Sequence, residues 1–133
     1  MQGLHLTADL TGCRCATHWL LDAPVLGAAC VARARAAGLQ VVGELFHAFP
    51  TAADATGQAG GVTATVLLAE SHLCVHTWPE RSAVTLDVYV CNVGADHSDK
   101  ARALLAALED LFQPTRVERH ALQRGAGDTR VAA

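Results

Sequence analysis

The sequence predicts an α/β protein, a two-layer sandwich in which a largely antiparallel sheet carries two main helices on one face. Three observations predict it. Val62–Ala69, Leu73–Trp78 and Ala83–Val90 are β-rich runs separated by short polar interruptions, the pattern of sequential antiparallel strands. Two other segments repeat apolar residues at helical spacing, and helices and strands of this kind pack most simply as two layers. A chain of 133 residues, 51% apolar and 17% charged, is long enough for one core, so a single domain is expected over 1–133.

The elements follow in order. Leu4, Leu6, Ala8 and Leu10 alternate with their neighbours at a period of two and predict a half-buried strand ended by Gly12. Asp22 and Pro24 mark a helix start, Val25, Ala28, Ala29, Ala32 and Ala36 continue its apolar face, and Gly38 stops it. Leu39–Phe49 reads as a second strand. Residues 50–61 are small or turn-forming and predict a mobile loop. After the three central strands, Asp96 is expected to cap a helix with Asp99 three residues on, and Ala101, Leu104, Leu105, Leu108, Leu111 and Phe112 form its buried stripe up to Pro114. Val117–Leu122 reads as a last strand and Gly125–Ala133 as a frayed tail.

Composition removes several functions. A net charge of −3 with scattered arginines offers no basic stripe for a phosphate backbone, so nucleic acid is not an expected partner. The apolar runs are far too short to span a bilayer and the N-terminus lacks the pattern of a signal peptide, so a soluble cytoplasmic protein with no membrane association is expected. Five cysteines (Cys13, Cys15, Cys30, Cys74, Cys91) are an odd number without the spacing of a disulfide framework. They read as thiols, most of them small buried apolar residues.

The chemistry is concentrated in Glu70-Ser71-His72-Leu73-Cys74-Val75-His76-Thr77-Trp78-Pro79-Glu80, with Cys91 closing the next apolar run. A serine oxygen can attack the carbonyl of the preceding residue when that peptide is strained, turning an amide into an ester that a base can break by elimination. His76 is the candidate base. In a regular strand, a separation of five puts the two side chains on opposite faces, so pairing Ser71 with His76 requires a turn or bulge. On residues alone, a strand-edge serine and a structural histidine explain the same pattern. A rival constellation, His72, Cys74 and His76 on one strand face, has the residue types of a metal site, but any amphipathic strand alternates in this way, and no metal is expected.

Gly61-Val62-Thr63, Glu70-Ser71-His72, His76-Thr77-Trp78-Pro79-Glu80 and Asp87–Cys91, flanked by His5-Leu6, Cys13 and Phe46-His47-Ala48-Phe49, resemble the prokaryotic S-adenosylmethionine decarboxylase family over residues 4–122. The resemblance implies self-cleavage between Glu70 and Ser71 into a β chain, 1–70, and an α chain, 71–133, with Ser71 becoming a pyruvoyl group. It implies that His76 removes the serine α-hydrogen and that Cys91 returns a proton to the product carbon after CO₂ leaves. Thr63 falls where the family commonly has a serine that assists processing. Glu80 matches the carboxylate that accepts the ribose hydroxyls, and Phe49 and Trp78 match aromatic positions beside the substrate. S-adenosylmethionine is then the substrate, spermidine synthesis the context, and a homodimer of processed αβ protomers the assembly.

Decarboxylating an amino acid needs an electron sink at its amine, normally a Schiff base to pyridoxal phosphate or to a protein-bound ketone. Pyridoxal phosphate needs a lysine, and Lys100, the single lysine, is expected on a solvent-facing helical turn, so no pyridoxal phosphate is expected. Two alternatives stay open. The segment between Phe49 and Gly61 is longer than the family pattern, and relatives decarboxylate ornithine or arginine with the same pyruvoyl machinery. A chain that had lost processing would serve as a noncatalytic partner subunit.

Overall fold

A computed structural model describes residues 2–50 and 60–125. The expected loop between Phe49 and Gly61 falls almost wholly outside the described residues, as does the expected tail beyond Gly125.

The strands are β1 (Gly3–Thr11), β2 (Val41–Ala48), β3 (Val62–Leu68), β4 (Ser71–Trp78), β5 (Ala83–Cys91) and β6 (Arg116–Arg124). They form one sheet in the order β2-β3-β4-β5-β1-β6, and every neighbouring pair is antiparallel. The helices are α1 (His18–Leu21), α2 (Ala23–Ala36) and α3 (Ser98–Phe112). The α/β sandwich is therefore as expected, with one additional helical turn, α1. The strand ends differ by at most two residues from the expected ones, by two where β2 begins at Val41 rather than Leu39, where β4 begins at Ser71 rather than Leu73, and where β6 runs on to Arg124 rather than Leu122.

One face of the sheet is dry. Leu4, Leu6, Ala8 and Leu10 of β1, Val84, Leu86, Val88 and Val90 of β5, and Leu73 and Val75 of β4 are buried with Leu26, Cys30 and Ala34 of α2 and Leu104, Leu108 and Phe112 of α3. Period-two alternation in the strands and a helical stripe in α3 made their part of this layer predictable. Helix α2 buries a different face from the expected one: Val25, Ala28, Ala32 and Ala36 are exposed, and of the expected residues Ala29 alone is buried. Gly27 lets α2 close on β2, since a Cβ there would stand 2.9 Å from the Phe46 ring.

The helix ends are set locally. Asp22 Oδ1 accepts from the Val25 amide at 3.1 Å, the expected cap of α2. At α3 the cap is shifted. The helix begins at Ser98 with His97 in the cap position, and Asp96 Oδ1 accepts from the Ser98 amide at 2.9 Å, an Asx turn rather than a cap one residue further in.

Among the described residues, the second face of the sheet has no helix. Across it the side chains of His5, Thr7 and Asp9 on β1, Thr63 and Thr65 on β3, His72, Cys74 and His76 on β4, and Thr85, Asp87 and Tyr89 on β5 are half-buried or exposed. This polar face carries the residues singled out by their chemistry.

Candidate active site

The hairpin joining β3 to β4 has two loop residues, Ala69 and Glu70, between the paired residues Leu68 and Ser71. Glu70 has φ +56°. A residue with a Cβ in this left-handed region is strained by about 1–2 kcal/mol relative to its ordinary conformations. The strained residue is thus the one whose carbonyl Ser71 would attack. Ser71 Oγ accepts a hydrogen bond from the Cys91 amide at 3.1 Å, which ties the start of β4 to the end of β5. Glu70, Ser71 and Cys91 are brought together at this end of the sheet.

Thr63, His76, Trp78, Glu80 and Phe49 gather at the other end. Thr63 and His76 are directly paired on β3 and β4, and Thr63 Oγ1 lies 3.1 Å from His76 Nδ1. Trp78 ends β4 and is 46% exposed. The chain then makes a 3-10 turn, Pro79–Arg81, that carries Glu80 into solvent. Phe49, 50% exposed, follows β2, where its amide donates to the Gly61 carbonyl at 2.9 Å and its ring stands edge-on to His47 with centroids 4.7 Å apart.

The two groups do not meet within one chain. No register shift interrupts β4 between its pairs with β3 or with β5. The turn or bulge needed to bring Ser71 and His76 onto one face is absent from this strand. A regular strand rises about 3.3 Å per residue, so the two positions are about 16 Å apart along it. Parity puts Ser71 with Leu73, Val75 and Thr77, while His76 is on the polar face with His72 and Cys74.

Sequence reasoning missed a third group. Asp87 Oδ2 lies 2.9 Å from His5 Nε2 and 2.7 Å from His72 Nε2, while Arg124 Nη1 lies 3.2 Å from His5 Nδ1. Both imidazoles stand within 6 Å of the Tyr89 ring, over which the Arg124 guanidinium sits at 5.6 Å. An arginine only donates, so His5 Nδ1 accepts and its Nε2–H donates to Asp87. The three ligand-capable atoms lie within 4.8 Å of one another, but a donating Nε2 has no lone pair for a metal. The alternative set His72, Cys74 and His76 is divided among Asp87, Thr65 and Thr63. Alternation marks Asp87, His5 and His72 as residues of one face, but not the register that joins them across three strands.

The other thiols stay out of this chemistry. Burial pushes the Cys13 thiol up to about 11 and Cys30 up to about 12, values at which thiolate is scarce near neutrality. Lys100 is half-buried on α3, its methylenes beside Gly38, rather than solvent-facing as expected.

The fold, a six-stranded antiparallel sheet with a tight β3–β4 hairpin, is shared with a decarboxylase of known structure. Residues 4–125 match the family described as S-adenosylmethionine decarboxylase, and the chain belongs to that family. The S-adenosylmethionine decarboxylase proenzyme of Parasynechococcus marenigrum is 32% identical over 123 residues, 92% of this chain and 83% of that one. A proenzyme of the same name from Aquifex aeolicus is 43% identical over 68 residues, and the match takes in 51% of this chain and 47% of the relative. This chain thus spans about half the length of several relatives that it matches at higher identity. An arginine decarboxylase proenzyme from Aeropyrum pernix is 40% identical over 68 residues, 51% of this chain and 48% of that protein. The crystal structure of the adenosylmethionine decarboxylase from Aquifex aeolicus superposes with a TM-score of 0.78 at 28% identity, covering 95% of this chain and 92% of that one.

Proposed function

We propose that the chain is a self-processing, pyruvoyl-dependent S-adenosylmethionine decarboxylase, cut between Glu70 and Ser71, that releases CO₂ from the nucleoside substrate for spermidine synthesis. The observation that carries the reading is the left-handed Glu70 immediately before a serine whose Oγ is held by the Cys91 amide. Strain in the peptide to be broken raises the ground state and is relieved on cleavage.

Ser71 Oγ attacks the Glu70 carbonyl and the amide becomes an ester. His76 then takes the Ser71 α-hydrogen and the serine oxygen departs on the Glu70 carboxylate, leaving a dehydroalanine that tautomerises to an imine, which water hydrolyses to the pyruvoyl group with release of ammonia. The pyruvoyl group, once made from Ser71, supplies the electron sink that amino-acid decarboxylation requires. Cys91 stands beside residue 71 and is suited to return a proton to the product carbon.

His76 is about 16 Å from Ser71 on its own strand, so its role calls for a second copy. A homodimer in which the polar sheet faces meet about a two-fold axis, with strands reversed, brings the Thr63–His76 end of one chain over the Ser71–Cys91 end of the other, twice. Leu45, 75% exposed, and Leu67, 50% exposed, on this face fit a covered surface. Thr63 keeps a hydroxyl on His76 Nδ1, so the threonine serves where the family has serine. In this composite site the adenine stacks on Phe49 and Trp78, and Glu80 accepts from the ribose hydroxyls. Free thiols at all five cysteines suit a reducing cytoplasm.

The arginine decarboxylase named among the relatives supports a second reading, a basic amino acid in the same pyruvoyl site. Both are tested by an intact-mass measurement followed by CO₂ release from S-adenosylmethionine, ornithine and arginine in parallel. Two fragments and release from S-adenosylmethionine are expected. A single intact chain would make it a noncatalytic subunit, and release from arginine or ornithine alone would move the substrate.

A further inference from the structure

The Arg124–His5–Asp87–His72 chain of hydrogen bonds has a direction. Arg124 donates to His5 Nδ1, His5 Nε2–H donates to Asp87 Oδ2, and the same oxygen accepts His72 Nε2–H. The chain crosses β6, β1, β5 and β4 and ends on the residue that follows Ser71. Cleavage would make Ser71 the first residue of a new chain, and free ends fray unless something ties them down.

Cleavage also removes the tie that holds residue 71 beforehand. The hydrogen bond from the Cys91 amide goes to Ser71 Oγ, and elimination transfers that oxygen to the Glu70 carboxylate while the Cβ–Oγ bond breaks and the α-hydrogen leaves to a base. The Ala69–Glu70 turn is severed from β4 in the same event. The first side-chain anchor left to the new end is then His72 on Asp87, braced by His5 from the other side of the cut.

We propose that His72, Asp87 and His5 are positioning residues, a clip that keeps the α-chain end in register with Cys91 after self-cleavage; this rests on the self-cleavage reading above. The clip acts through residue 71 and takes no part in breaking the peptide. Its loss leaves substrate binding at Phe49, Trp78 and Glu80 intact and misplaces the reacting carbon, so kcat falls while KM holds.

The test compares wild type, His72→Ala, His72→Gln and Asp87→Asn, each as the full chain and each also with Ser71→Ala to block cleavage. Hydrogen exchange is read by mass at the β4 amides, alongside steady-state kinetics with S-adenosylmethionine. In cleaved protein, His72→Ala and Asp87→Asn are expected to speed exchange at residues 73–75 about tenfold or more and to lower kcat by a similar factor, with KM changed less than about threefold. His72→Gln, which keeps an N–H donor for Asp87, restores most of both. In the uncleavable background the same substitutions leave β4 exchange nearly unchanged, because Glu70 still tethers the strand. Equal loosening in cleaved and uncleaved chains, or none in either, would overturn the clip. Absence of cleavage in the wild type would overturn the proposed function itself and, with no chain end to hold, the clip with it.

Discussion

The amide of Cys91 donates to Oγ of Ser71 at 3.1 Å, so the end of β5 holds the serine that opens β4. One neighbour of this serine is the left-handed Glu70 and the other is His72, bonded to Asp87. The hairpin therefore places a strained peptide, a hydroxyl and a thiol-bearing residue within a few bonds of each other, while the imidazole that the chemistry asks for sits at the far end of the strand.

Self-cleavage should yield fragments 1–70 and 71–133, the second with a pyruvoyl start, and Ser71→Ala should stay whole. Glu70→Gly removes the cost of the positive φ, which glycine adopts freely. Releasing about 1–2 kcal/mol of ground-state strain should slow cleavage by roughly five- to thirtyfold, read from the time course on a denaturing gel. Cleavage of Glu70→Gly at the wild-type rate would show that the strain is not used.

His76→Ala should stall maturation at the ester, which hydroxylamine then splits into the two fragments. Thr63→Val should slow the same stage, since it deletes the hydroxyl 3.1 Å from His76 Nδ1 while keeping the β-branched shape. Normal pyruvoyl formation in His76→Ala would remove this histidine from its role.

Cys91→Ser should still be cleaved, because the bond to Ser71 comes from the main-chain amide, which the substitution keeps. Decarboxylation should fall at least about tenfold, an alcohol being a far weaker acid than a thiol. Misplaced protonation should also leave the substrate's amine on residue 71, inactivating the enzyme during turnover, visible as a mass change of the α chain. Unchanged turnover over many cycles would assign the proton to another group.

Glu80→Gln keeps shape and weakens the acceptor for the ribose hydroxyls. A loss of about 1.5–3 kcal/mol of charge-assisted hydrogen bonding lowers kcat/KM by roughly one to two decades, with processing intact. Wild-type activity on arginine or ornithine but not on S-adenosylmethionine would leave Glu80 without a ribose to bind.

Most of the architecture was legible because burial writes a period into the sequence. Leu4 to Leu10 alternates, Leu104 to Phe112 repeats at helical spacing, and Asp22, Pro24 and Gly38 bound α2. The start of β4 was not legible: Ser71 and His72 have no apolar signal of their own and join the strand through their pairs with Leu68 and Leu67. The short helix α1 was missed because four residues are too few for a period. Within the site, the motif named Ser71, His76 and Cys91, but not the distance between them. That depends on whether β4 is regular, and pairing with both neighbours makes it so. His5, Asp87 and Arg124 lie up to 119 residues apart in sequence, and only the order β4-β5-β1-β6 joins them.

A site shared between two copies, with Ser71 and Cys91 from one and Thr63 and His76 from the other, is tested most directly by mixing two inactive chains. Ser71→Ala supplies an intact His76 and cannot be cut; His76→Ala supplies an intact Ser71 and lacks the base. Co-expressed with distinguishable tags, they form mixed dimers in which one of the two sites is complete. The measurement is the intact mass of the His76→Ala chain isolated from those mixed dimers. Maturation to fragments 1–70 and 71–133 with a pyruvoyl start is expected there, and none in His76→Ala dimers alone. A His76→Ala chain that stays stalled in verified mixed dimers would contradict the shared site and return the base to the chain that is cut.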